Sequence, residues 1–158
     1  MKKYEFTGET KRVELWNRTA TLHRIKATVE FGFVKVGELG GWIEKEENLS
    51  HEGKAWVCGD AEVCDDAKVW GNANVCGNAE VFLASHVLVM GSVGSRNDFT
   101  TFFRDKDNEI TVKCGCFLGK IDKFLEKVTQ THGNNKYALV YRAAVEVAKL
   151  QIELTERK

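Results

Sequence analysis

Proline is absent from the 158 residues of this chain, where average usage of about 5% would supply roughly eight. Its absence excludes Pro-rich linkers and polyproline recognition tails. Long apolar runs are missing too. None approaches the ~20 residues that a membrane helix requires, so no membrane partner is expected. The opening MKKYEFTGETKRVELW has two lysines without an apolar stretch behind them, so it does not read as a secretory leader. A cytoplasmic location is the resulting expectation. Net charge is absent as well, with 23 Lys and Arg against 23 Asp and Glu. Split along the chain, residues 1–50 carry +1, 51–90 carry −4 and 91–158 carry +3. No segment has the basic footprint of a duplex-binding protein, though the last third could serve a small anion. The five cysteines (58, 64, 76, 114, 116) are an odd number, and free thiols are expected in a reducing compartment.

Against these absences stands a repeat. From Ala55 the chain runs AWVCGD AEVCDD AKVWGN ANVCGN AEVFLA SHVLVM. Valine returns every six residues from Val57 to Val87, with alanine two residues before it in every unit but the last, which has Ser85. Residues two apart point to the same side of a strand, and the Gly, Asp and Asn between them favour corners. A strand and a corner repeated every six residues predict a parallel β-helix with valines inside. The residue after each valine (Cys58, Cys64, Trp70, Cys76, Phe82) then points outward as an apolar strip, an expected oligomer interface. Cys58 and Cys76, 18 residues apart, would stack on neighbouring coils.

These hexads resemble the hexapeptide-repeat, left-handed parallel β-helix family. That resemblance implies three hexads per triangular coil and a homo-oligomer, a trimer or a multiple of one. The layout as a whole resembles a group of small phage- and prophage-encoded proteins of largely unassigned role. The residues that carry this likeness are GGWIEKEENLS before the repeat, and VGSRNDFTTFF, CGCFLGKIDKF and THGNNKYA after it. For a phage-encoded chain the compartment would be the host cytoplasm.

The expected fold class is therefore mainly β with C-terminal α. A short left-handed parallel β-helix (44–90) follows an N-terminal β cap (1–43) and precedes a C-terminal hairpin and two-helix domain (91–158). In that last part FTTFFR and EITVKCGCF read as paired strands across Asp105 to Asn108. Ile121, Phe124, Leu125 and Val128 form a helical stripe stopped by Gly133. A second helix starts near Asn134 or Asn135, with Tyr137, Tyr141, Ala144, Val145, Ala148 and Ile152 on one face. Its Val140, Val147 and Leu154 lie elsewhere, which a subunit interface would explain.

The candidate ligand site combines Ser95, Arg96, Thr100, Thr101 and Lys113 with the aromatic faces of His132 and Tyr137. Hydroxyls, turn N–H groups and a guanidinium suit a phosphate or carboxylate. A tight turn with hairpin threonines chosen for strand propensity is the alternative. No catalytic set, metal or cofactor is expected. His86, pointing outward from the last hexad, would be the base of an acyltransferase, because enzymes of the resembled family use such a histidine. The reading is thus a non-enzymatic phage-type oligomer that sequesters a small phosphorylated ligand, a host nucleotide immune signal being a concrete candidate. A hexapeptide-repeat acyltransferase and a purely structural or protein-binding module are the alternatives.

Overall fold

The computed structural model describes residues 2–95 and 98–154. Eleven strands and two α-helices follow one another along these residues. They are β1 (Tyr4–Glu14), β2 (Thr19–Ala27), β3 (Leu39–Ile43), β4 (Trp56–Val57), β5 (Glu62–Val63), β6 (Asn74–Val75), β7 (Glu80–Val81), β8 (Val87–Val93), β9 (Asp98–Arg104), β10 (Ile110–Cys114) and β11 (Phe117–Lys120), then α1 (Ile121–His132) and α2 (Lys136–Gln151). They form sheets of five (β1-β2-β3-β5-β7), four (β11-β10-β9-β8) and two strands (β4-β6). Among the described residues no helix is long and apolar enough to cross a membrane.

The expected class, mainly β around a left-handed parallel β-helix at 44–90, is corrected by these sheets. The architecture is mixed α/β, and no continuous parallel β-helix is present among the described residues. The physical reason lies in how few hexads stay in step. Val57 pairs in parallel with Val75 and Val63 with Val81. The third unit makes only an isolated bridge, Val69 to Leu49. The sixth unit leaves the pattern altogether. It passes through a short 3-10 turn at Ala84–His86 into β8, which pairs antiparallel with β9. Strands two residues long add little stability alone. β5 therefore completes its pairing against β3 of the N-terminal segment.

Local chemistry still follows the repeat. Every alanine from Ala55 to Ala79 and every valine from Val57 to Val81 in the Ala–Val slots is at most 1% exposed. They share one cluster with Ile43, Leu49 and Phe103. The first corner residue is left-handed, Gly59 at φ 63° and Asp65 at φ 58°, which glycine and aspartate accept most readily. Gly41 is required by close approach. A Cβ there would lie 2.7 Å from the Ala61 carbonyl oxygen.

The N-terminal hairpin lies over the repeat. Ala20 and Leu22 of β2 and Trp42 of β3 pack with Cys64 and Phe82 in a second cluster. Arg18 clamps the edge through a bidentate contact to Glu44 at 2.6 and 3.0 Å. At the other end, Phe102, Ile110 and Val112 of the four-stranded sheet face Phe124, Val128, Tyr141, Val145 and Ala148 of the helices. α1 stops at Gly133, and the Asn135 side chain caps α2 by accepting from Ala138 N–H at 3.1 Å.

Candidate functional site

A cleft lies where the Gly94–Ser95 turn, the β10–β11 turn and the two helices meet. Its volume is about 150 Å³, and Ser95, Asp98, Cys114, Cys116, Phe117, Phe124, Lys127, Val128, Thr131, His132 and Tyr141 are among its lining residues. Each arrives for a local reason. Gly94 carries a positive φ of 82°, and any Cβ there would run into the Tyr141 hydroxyl. A glycine turn thus lets the chain close onto Tyr141 and present Ser95. Phe124 and Val128 sit on the buried stripe of α1, which leaves Lys127 and Thr131, one turn apart, at the cleft rim.

The floor is aromatic. Phe124 meets Phe117 at 5.5 Å and Tyr141 edge-on at 5.6 Å between ring centroids. His132 closes α1 and lies nearly parallel to Tyr141, with centroids 5.9 Å apart. Its Nε2 is 3.4 Å from the Ser95 hydroxyl, joining residues 37 positions apart. Burial, followed by the neighbouring Cys114 sulfur, raises the Tyr141 phenol above its ordinary range, while hydrogen bonds from Ser95 act the other way. The phenol is accordingly a neutral hydrogen-bonding group at physiological pH.

Of the expected ligand residues, the fold brings Ser95 and His132 into this cleft. Tyr137 flanks it, its ring 5.6 Å from His132. Thr100 and Thr101 do not present hydroxyls to it. Both are 1% exposed, and strand alternation points them to opposite faces. Thr100 donates to Cys114 Sγ at 3.4 Å, whereas Thr101 accepts from the Asn74 N–H at 3.0 Å and fastens β9 to β6. Lys113, paired opposite Thr101, donates instead to the Gly115 carbonyl. Arg96 lies outside the described residues. Lys127, Thr131 and Tyr141 complete the lining and were not anticipated as ligand groups. The sequence signal for Lys127 and Thr131 is only their spacing of one turn on α1 ahead of His132, and Tyr141 reads there as part of the α2 stripe.

No protein-family model matches this chain, and no curated protein matches it either.

Three further expectations change. Cys58 and Cys76 are joined in a disulfide rather than free, their Cα atoms 4.6 Å apart, because the parallel pairing of Val57 with Val75 stacks the next residues. The apolar strip is also mostly covered within the chain. Cys64 is fully buried, Cys76 and Phe82 are 6% and 7% exposed, and Cys58 is half-buried, while Trp70 stays 63% exposed. His86 does not point outward. It is 1% exposed, and its Nδ1 accepts from the Phe82 and Leu83 N–H groups at 3.1 Å. Burial, aided by the Arg104 charge, pushes it down to about 4. That ring nitrogen is occupied in holding a turn, and the burial keeps the imidazole from a substrate hydroxyl.

Proposed function

We propose that this chain is a non-enzymatic, phage-type binding protein that takes a small phosphorylated, nucleotide-like ligand into the cleft beside Tyr141. The observation that carries this reading is the meeting of Ser95 and His132 above an aromatic floor. The Ser95 and Thr131 hydroxyls, the His132 imidazole and the Lys127 ammonium suit an anionic group. Asp98 shares that rim but is engaged, accepting the Phe99 N–H at 2.7 Å. At about 150 Å³ the cleft is smaller than the roughly 300–1,000 Å³ that encloses a drug-sized ligand. It therefore grips a base or a phosphate and leaves the rest outside.

A homo-oligomer, a trimer or a multiple of it, belongs to the same reading. The exposed Trp70 supports it, as do Leu139, Val147 and Leu150 on the outer side of α2, since outward apolar surface of this kind marks contact sites. Binding by such an assembly removes ligand from solution, and a nucleotide immune signal of the host is the ligand class proposed. Calorimetry with ADP-ribose, cyclic dinucleotides and inorganic phosphate tests the idea. At least one nucleotide should bind, and Lys127→Ala and His132→Ala should each weaken it by about tenfold, the worth of a charge-assisted hydrogen bond. Absence of heat across the panel, or binding that ignores both substitutions, would overturn it.

A further inference from the structure

We infer that Cys114 and Cys116 form a dithiol site that exchanges with small disulfides entering the cleft. Both thiols are free and both line the cleft beside Tyr141. Cys114 ends β10 and Cys116 lies in the two-residue turn that closes β10 onto β11, where Cys114 pairs with Phe117. The residue between them, Gly115, has φ 58°, which lets the chain fold back sharply. Two residues of fully extended chain span at most about 7 Å, and a turn shortens this into the roughly 4.4–6.8 Å between Cα atoms that a disulfide uses. The spacing therefore brings the two Cα atoms within the reach of a disulfide.

Their surroundings differ, and the difference assigns the order of attack. Cys116 is exposed and meets the incoming disulfide first. Cys114 is half-buried, its sulfur holding the Thr100 hydroxyl, so it is placed to resolve rather than to attack. Lys127 on the same cleft attracts a disulfide that carries carboxylates, and glutathione disulfide is such a molecule. The other sulfurs are removed from this chemistry. Cys64 is fully buried and pushed up to about 12, and Cys58 and Cys76 are bonded to each other.

The exchange balances in two steps. The Cys116 thiol gives up its proton, and its sulfur attacks glutathione disulfide. That S–S bond breaks, a Cys116–glutathione bond forms and one glutathione leaves, taking up a proton as its thiol. Cys114 then loses its proton and attacks the Cys116 sulfur, releasing the second glutathione. Two protein thiols are oxidised to one disulfide, and one glutathione disulfide is reduced to two glutathiones.

The test requires no cleft ligand, so its outcome is separate from the binding reading. The full chain is equilibrated in glutathione buffers from reducing to oxidising, quenched in acid, alkylated and mapped by mass spectrometry. Cys114 and Cys116 should lose alkylation together, with a peptide bridging them. Cys114→Ser should stop with glutathione on Cys116, and Cys116→Ser should react at least tenfold more slowly at Cys114. The same results are expected in the Cys58→Ser/Cys76→Ser chain, and protection of Cys64 from native-state alkylation reports that each variant is folded. Alkylation of both residues at every ratio would overturn the proposal. So would a stable glutathione adduct on Cys116 in the unaltered chain, or bridging that requires Cys58 and Cys76.

Discussion

The repeat and the C-terminal sheet with its helices use similar strands to opposite ends. Between Ala55 and Val81 every inward slot holds Ala or Val at no more than 1% exposure, and the backbone closes its own bonds, as in Cys58 N–H to Val75 O at 2.9 Å. Polar side chains there serve corners and edges. Around the cleft, Ser95, Lys127, Thr131 and His132 are left facing a common opening. The C-terminal helices supply the apolar support that the repeat supplies to itself. Stability is thus concentrated where little chemistry is exposed, and chemistry is concentrated at turns and helix ends carried by the sheet.

The sharpest way to break that contrast is a charge inside the repeat. Val63 is fully buried between β3 and β7. Val63→Asp should cost more than about 4 kcal/mol, since an unpaired carboxylate there finds no hydrogen-bond partner or water. Urea titration should show the whole chain unfolded or close to it. Lys127→Ala should leave the urea midpoint nearly unchanged. If both substitutions destabilise alike, the division of labour between the two regions is wrong.

A smaller effect comes from His86, where the repeat turns into the C-terminal sheet. Its pKa falls from the ordinary 6.5 to about 4, so between these values the unfolded chain binds a proton that the folded chain refuses. Stability from this residue is complete above about pH 6.5 and is lost as pH falls towards 4, amounting to about 3 kcal/mol. His86→Asn keeps an acceptor for the two N–H groups without titrating in that window. Urea melts from pH 7 to 4 should be steeper in pH for the unaltered chain than for the variant. Parallel curves would show that the imidazole is not held neutral.

What could be read from the sequence follows the range of the interactions involved. The Ala–Val slots, the left-handed corners at Gly59 and Asp65, and the stripes of α1 and α2 are set by neighbours a few residues away. Each is visible as a period. The sheet plan was not visible, because Ile43 pairing with Val63 and Val87 with Phe103 depend on segments outside the repeat. Strand alternation predicts an outward His86, but the 3-10 turn at Ala84–His86 breaks the alternation and rotates it inward. Thr100 and Thr101 read in the sequence as a paired hydroxyl patch, yet adjacent strand residues face apart. The cleft joins Ser95 to His132 and Tyr141 over long separations, so only the pieces were legible.

The smallest expected change in stability is also the one that tests the repeat from outside. Trp70 follows Val69, the most weakly paired of the buried valines, with a single bridge to Leu49, and it is 63% exposed. Little of its ring supports the fold, so Trp70→Glu should shift stability by no more than about 0.5 kcal/mol. If the chain self-associates through this face, the same substitution places a carboxylate in an apolar contact and removes a large aromatic anchor. Light scattering should then show a drop in particle mass with an unchanged urea midpoint. That split separates surface used between copies from surface used within one. A variant that remains assembled would move the contact away from the repeat, leaving the outer side of α2 to carry it. A variant that unfolds would mean that Trp70 packs on its own chain and that the repeat keeps even its exposed aromatic for stability.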